Sequence, residues 1–261
     1  MALLPLFIRR LYIRSKWFLS NYNKIEFNTE LFNDIYGPPT YNTDGLATST
    51  NSDFIHDQKF AKAYQSAKDT NPWPNFTLMW RIHVVCWVAE TVKNLEGDFV
   101  ECGVNTGSYA RAIMDYLNFN SLNKTFYLMD TFIGLDEKYV TTDEKDLGIL
   151  NYNYRDTYEE VKNTFKNFNV KIIKGSIPDT LDQCKSDKIC YLSLDMNNVI
   201  PEIAAIEYFW QKLVINGIVL LDDYGFPMHI NQKIGFDKFA KSVNHEILTL
   251  PTGQGLIIKT H

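Results

Sequence analysis

His245–Thr260, HEILTLPTGQGLIIKT, holds two short apolar runs separated by a turn that carries Pro251 and Gly253. A connection this short forces the two runs to pair antiparallel. Upstream the pattern is different. DFVECGV (98–104), TFYLMD (125–130), VKIIKG (170–175), ICYLSLD (189–195) and GIVLLDD (217–223) read as strands. Between them, helical spacing appears from about Ser108 to Leu117, over Tyr158 to Phe168, from Pro201 to Leu213, and from Lys233 to Ser242. Such alternation predicts right-handed βαβ crossovers and a mostly parallel sheet buried on both faces. The expected fold is α/β, a mostly parallel sheet finished by a C-terminal antiparallel hairpin.

Further back, NFTLMWRIHVVCWVAETVKNLEG (75–97) reads as a helix with Met79, Ile82, Cys86 and Ala89 on one face and Gly97 as its stop. From about Asn21 to Pro74 the chain is polar and turn-rich, which suggests a cover rather than an independent core. The expected division is an N-terminal helix-and-loop extension over 1–75 and a main domain over 76–261. In the first twenty residues, Leu4, Phe7, Ile8 and Leu11 follow helical spacing, while Arg9, Arg10, Arg14 and Lys16 interrupt any spanning segment. Neither a signal peptide nor a transmembrane helix fits; a helix docked on its own domain, on a second subunit or on a membrane surface does. A net charge of −5 without a basic stripe leaves no footprint for nucleic acid, so the expected partner is a small molecule. Cys86, Cys102, Cys184 and Cys190 form no C-x-x-C pair and lie in or beside apolar runs, as reduced core thiols of a cytoplasmic protein do.

Ligands of open α/β sheets bind beyond the carboxyl ends of the strands. Acidic residues end four of the apolar runs: Glu101, Asp130, Asp195, and the pair Asp222 and Asp223. One such residue commonly caps a helix or starts a turn; four in register point to a site. In ECGVNTGSYA (101–110), Gly103 and Gly107 are expected to bring backbone N–H groups near a ligand where a Cβ would collide, with Ser108 capping the next helix. The G-x-x-x-G spacing lacks the middle glycine of a dinucleotide loop, which disfavours a nicotinamide-dependent oxidoreductase. Asp130 is placed to accept from both hydroxyls of a ribose. Asp195 and the Asp222–Asp223 pair, one helix and one strand apart, are expected to converge; three close carboxylates repel unless a cation neutralises them, and an all-oxygen set suits Mg²⁺.

VECGVNTGSY, MDTFIGLD, LSLDMNNVIPEIAAIEYF and IVLLDDYGF, taken in order, resemble the macrocin O-methyltransferase family of class I S-adenosylmethionine-dependent methyltransferases, from about Phe76 to the C-terminus. The resemblance implies a Rossmann-like sheet and Mg²⁺-assisted O-methylation of sugars and other natural-product scaffolds. It implies that Glu101, Gly103 and Ser108 border the methionine part of the cofactor, with Val104, Gly107, Tyr109 and Thr131 also in the cofactor site. Asp130 would lie at the ribose, Ser176 near the adenine, and Asp195, Asp222 and Asp223 on the metal, with Asp195 also touching cofactor and acting in catalysis. A homo-oligomer is also implied. One position departs from the family's D-x-D-L-Y: Asn197 stands where the second Asp is proposed as base, and an amide accepts no proton at neutral pH. Either the metal suffices to activate the hydroxyl, or His229 substitutes as base, or the chain is a catalytically weakened, cofactor-binding relative. His83, on an apolar helix, reads as a core residue. The insert over 131–155 reads equally as a substrate cover and as a solvated loop.

Overall fold

Side chains along each strand alternate between two apolar clusters, and this sets the architecture of the computed structural model, which describes residues 29–151 and 154–261. An N-terminal helix α1 (Thr29–Tyr36) and a hairpin, β1 (Tyr41–Thr43) and β2 (Leu46–Thr48), lead to helices α2 (Gln58–Asp69) and α3 (Met79–Val92). Then follow β3 (Asp98–Cys102), α4 (Ser108–Leu117), β4 (Phe126–Asp130), α5 (Thr142–Leu147), α6 (Tyr158–Phe165), β5 (Val170–Lys174) and β6 (Ile189–Leu194). The chain closes with α7 (Val199–Trp210), β7 (Leu213–Leu221), α8 (Ile230–Ser242), β8 (Leu248–Thr249) and β9 (Gly255–Ile258).

Strand order is β5-β4-β3-β6-β7-β9-β8, with β3 to β7 parallel and β9 antiparallel to both β7 and β8. Phe99, Phe126, Tyr191, Ile218 and Leu220 face α2, α3 and α4; Val100, Met129, Leu192, Val219 and Leu221 face α7 and α8. The α/β sheet with its terminal antiparallel pair is thus as the sequence predicts.

Local boundaries differ in instructive ways. Leu213 opens β7 instead of continuing the helix, because α7 ends at Trp210 and the chain turns at once into the sheet. Inside the stretch read as turn-rich, Asp57 caps α2 by accepting from Phe60 N–H at 2.8 Å. Phe60, Ala63, Tyr64 and Ala67 then bury one face of it. The insert is bolted down: Thr141 and Glu144 form a capping box on α5, and buried Glu144 also accepts from Val199 N–H at 2.6 Å. Asn198 Nδ2 donates to the Tyr139 carbonyl at 3.1 Å. All four cysteines are free and buried. Among the described residues no helix is long and apolar enough to cross a membrane; the amphipathic 1–20 segment lies outside them.

Candidate active site

The parallel strands end on one side, and strand order reverses between β3 and β6, where such a sheet opens a crevice. A cavity of about 1120 Å³ lies there, walled by the strand-end loops, the insert and the β1–β2 hairpin. The turn after β3 forms its floor. Gly103 has φ +90°, and a Cβ on it would stand 1.9 Å from the Asp195 carbonyl oxygen. At Gly107, φ +85°, a Cβ would meet the Phe165 ring at 2.4 Å. Packing within the protein alone therefore requires both glycines; Gly103 also lines the cavity, and Gly107 is not among its lining residues.

Asp130 holds this turn. Its Oδ2 accepts from Val104 N–H at 2.6 Å and Asn105 N–H at 2.8 Å, and its Oδ1 accepts from Phe132 N–H at 2.6 Å. Asn105, Phe132 and Asn197, all on the cavity wall, have positive φ of 51°, 59° and 60°; asparagine adopts this conformation readily, so the strain falls on Phe132. Thr131 donates to the Gly134 carbonyl, and Ser176 to Asp136 at 2.6 Å. Glu101 is 2% exposed and its Oε2 has no hydrogen-bond partner. Burial, then the charges of Asp130 and Asp222, push its carboxyl well above the usual range.

Beyond β6 and β7, Asp195, Asp222 and Asp223 each bring one oxygen to within 4.8 Å of the others. Burial and the neighbouring charges of Asp222 and Asp223 raise Asp195 well above a normal carboxylate, with Arg81 opposing. Asn197 Nδ2 lies 3.4 Å from Asp195 Oδ1. Asp222 is gripped harder: Oδ1 accepts from the Tyr109 hydroxyl at 2.8 Å and from Gln254 Nε2 at 3.0 Å, and Oδ2 meets Arg81 Nη1 at 2.5 Å. Tyr109, expected at the cofactor, thus spends its hydroxyl on Asp222.

A second layer braces these loops. Glu202 of α7 accepts through Oε1 from Met196 N–H at 2.9 Å and Asn197 N–H at 3.0 Å. Gln232 of α8 bonds both Glu202 and His229, its Nε2 lying 2.9 Å from His229 Nδ1. With the amide donating, the His229 proton sits on Nε2, facing Asp223 Oδ2 at 3.5 Å. His83 stacks on Phe54 with centroids 4.0 Å apart, away from the cavity lining. Burial, then the charge of Asp223, push the Glu202 carboxyl up to about 8 from its ordinary 4.5. Between those values the unfolded chain has released a proton that the folded one keeps, so this group costs stability as pH rises through that window. In Glu202→Gln an amide oxygen still accepts the two N–H groups but no longer titrates. Its melting temperature should therefore gain on the parent's by several degrees between pH 5 and pH 8; a constant difference would assign the dependence elsewhere.

All the other proposed site residues, Glu101, Gly103, Val104, Ser108, Tyr109, Asp130, Thr131, Ser176, Asp195, Asp222, Asp223 and His229, line the one cavity. Sequence reasoning missed Arg81 and Asp44. Arg81 carries the one Lys or Arg charge within the apolar helix α3, and Asp44-Gly45 is the dipeptide of a two-residue hairpin turn, with φ +54° and +75°. Both signals were present in the chain.

A parallel sheet reversed at its centre with an antiparallel last strand is a class I methyltransferase-like fold. Residues 33–250 match the macrocin-O-methyltransferase (TylF) family, and the chain belongs to it. It is an S-adenosylmethionine-dependent O-methyltransferase. The fold is similar to that of the O-methyltransferase NovP, at 21% identity and TM-score 0.64 over 80% of this chain and 98% of that one. The calicheamicin methyltransferase CalS11 is similar at 13% identity and TM-score 0.58, over 77% and 93%. PaMTH1 of Podospora anserina, in a structure with bound SAH, is similar at 14% and 0.51, over 92% and 100%. None of the curated proteins compared with the chain matches it.

Proposed function

We propose that the chain methylates a hydroxyl of a small molecule, such as a sugar or glycosylated natural product, with Mg²⁺ held by Asp195, Asp222 and Asp223. The observation that carries this reading is the meeting of those three carboxylates on the wall of the cavity that also holds the β3 turn. Their donor set fits a hard dication: three carboxylate oxygens within 4.8 Å, and a half-buried Asp195 whose protein donor is one amide at 3.4 Å. The orphaned Oε2 of Glu101 fits the ammonium of the cofactor's methionine part. Asp130, Thr131 and Ser176 would meet the nucleoside, Asp130 while keeping its backbone donors.

Methyl transfer is an in-line displacement, so the protein must chiefly align the reacting groups and exclude water. A bound dication would supply acidification of the acceptor hydroxyl. Asn197 contributes orientation, since its amide donates toward Asp195 and its left-handed backbone suits Asn. His229 braces Asp223, its Nδ1 being engaged by Gln232. Free buried thiols fit a reducing, cytoplasmic setting; a homo-oligomer is the family-based expectation.

The test is turnover on a panel of hydroxylated acceptors with S-adenosylmethionine. Activity should fall by about 10²-fold or more on chelation and return with Mg²⁺. Chelator-insensitive turnover would remove the metal; tight cofactor binding without turnover on any acceptor would favour the weakened relative that Asn197 suggests.

A further inference from the structure

The acidic cluster already has a cation of its own. Arg81, in the first turn of α3, has a side chain only 11% exposed, and it reaches two sets of carboxylates at once. Its Nη2 donates to Asp44 Oδ1 at 3.4 Å and its Nε, though without a hydrogen bond, lies 2.9 Å from Asp44 Oδ2, so one edge of the guanidinium is ion-paired with Asp44. The opposite nitrogen, Nη1, lies 2.5 Å from Asp222 Oδ2 and 3.7 Å from Asp223 Oδ1. The Phe226 ring packs on the group at 4.5 Å. Burial works against this charge, but Asp222, Tyr109, Asp223 and Asp44 outweigh it and keep the guanidinium protonated.

Asp44 does not belong to the sheet. It sits on the β1–β2 turn, and the hairpin is tied to the start of α3 by the Tyr41 and Thr43 hydroxyls, which donate to the Thr77 carbonyl at 2.9 and 3.2 Å. A planar fork shared between two carboxylates on separate supports has two stable attachments, and giving up one leaves the other intact.

We propose that Arg81 is the resident counter-cation of the cluster and Asp44 its second attachment, so that loading a divalent ion onto Asp195, Asp222 and Asp223 requires the guanidinium to release Asp222 and stay on Asp44. This rests on the metal part of the proposed function. The two residues then tune cation affinity with opposite signs. Removing Arg81 frees Asp222 and Asp223 for the incoming ion. Removing the Asp44 charge leaves the guanidinium nowhere to go but the cluster. Asp44 acts through Arg81, so its effect must vanish once Arg81 is gone.

The test is Mn²⁺ titration of the purified full chain, with the free ion read by electron paramagnetic resonance, for the parent, Arg81→Met, Asp44→Asn and the double variant. Arg81→Met should bind Mn²⁺ about 10-fold more tightly or better, and Asp44→Asn about 10-fold more weakly. In the Arg81→Met background the effect of Asp44→Asn should shrink below about 3-fold, a coupling that two independent charges would not show. Unchanged or weaker binding by folded Arg81→Met overturns the proposal, as does an undiminished Asp44→Asn effect in the double variant. Circular dichroism melts report folding; Arg81→Gln replaces a Met variant that does not fold, and if neither folds, parent-like binding by Asp44→Asn decides against it. Absence of Mn²⁺ binding from every protein removes the metal reading and this proposal together, whereas binding without the opposite signs removes only this proposal.

Discussion

Asp195→Asn should cut methyl transfer by about 10²–10³-fold while leaving the fold intact, the range expected when one preorganised electrostatic group is lost from an active site. The expectation follows from where Asp195 stands. Its side chain is met by one amide at 3.4 Å, whereas Asp222 is held by Tyr109, Gln254 and Arg81. On the proposed reading, its oxygens are therefore freer than those of Asp222 to meet an ion and an acceptor. Asparagine keeps the shape, and relief of repulsion from Asp222 and Asp223 should leave the melting temperature equal to or above the parent's. Single-turnover rates with radiolabelled methyl donor, set beside equilibrium cofactor binding, are the measurement. Retention of more than about a tenth of the rate would show that the cluster is structural and that the chemistry lies elsewhere.

Gly103→Ala should be worse for stability, costing about 3 kcal/mol or more in chemical denaturation, because strain and overpacking add at one atom. The backbone there has φ +90°, which disfavours any Cβ, and the new methyl would lie 1.9 Å from the Asp195 carbonyl oxygen. Backbone, unlike a flexible side-chain end, has nowhere to retreat: Gly103 N–H donates to Met129 O at 2.9 Å and Asp195 N–H to Cys102 O at 2.9 Å, which fixes β3 between β4 and β6. Relief by parting the strands would drag Val104 and Asn105 from Asp130, so cofactor affinity should fall together with stability. A loss below about 1 kcal/mol would mean that the turn relaxes freely.

Much of this arrangement was legible in the chain because an apolar run that stops at a carboxylate marks both a strand and its exit point. Glu101, Asp130, Asp195 and Asp222 were located that way, and the sheet's order brought them to one cavity. What stayed hidden are partners supplied by the backbone or lying far away in the chain. Asp130 looks free in sequence, but its Oδ2 is taken by backbone N–H groups close in space and 25 or 26 positions away. Arg81 was overlooked because a helix of mostly apolar residues draws attention to its buried stripe, while its lone cation reaches across 141 positions to Asp222. Helix α2 was masked by composition: its many polar residues conceal the spacing of Phe60, Ala63, Tyr64 and Ala67. The role of Glu202 was invisible for a similar reason, since it accepts from the loop on the far side of its own helix start.

The strand made last of those in the sheet is not at its edge. Gly255–Ile258 slots between β7 and β8, and the residue before it, Gln254, donates to Asp222. During synthesis β7 must therefore wait with an unpaired flank, an adhesive edge for other nascent chains, and the Asp222 carboxylate waits for one of its donors. Closing that edge and completing the hydrogen bonds of Asp222 are one event, so a ribosome stalled before residue 254 would leave a product with both undone.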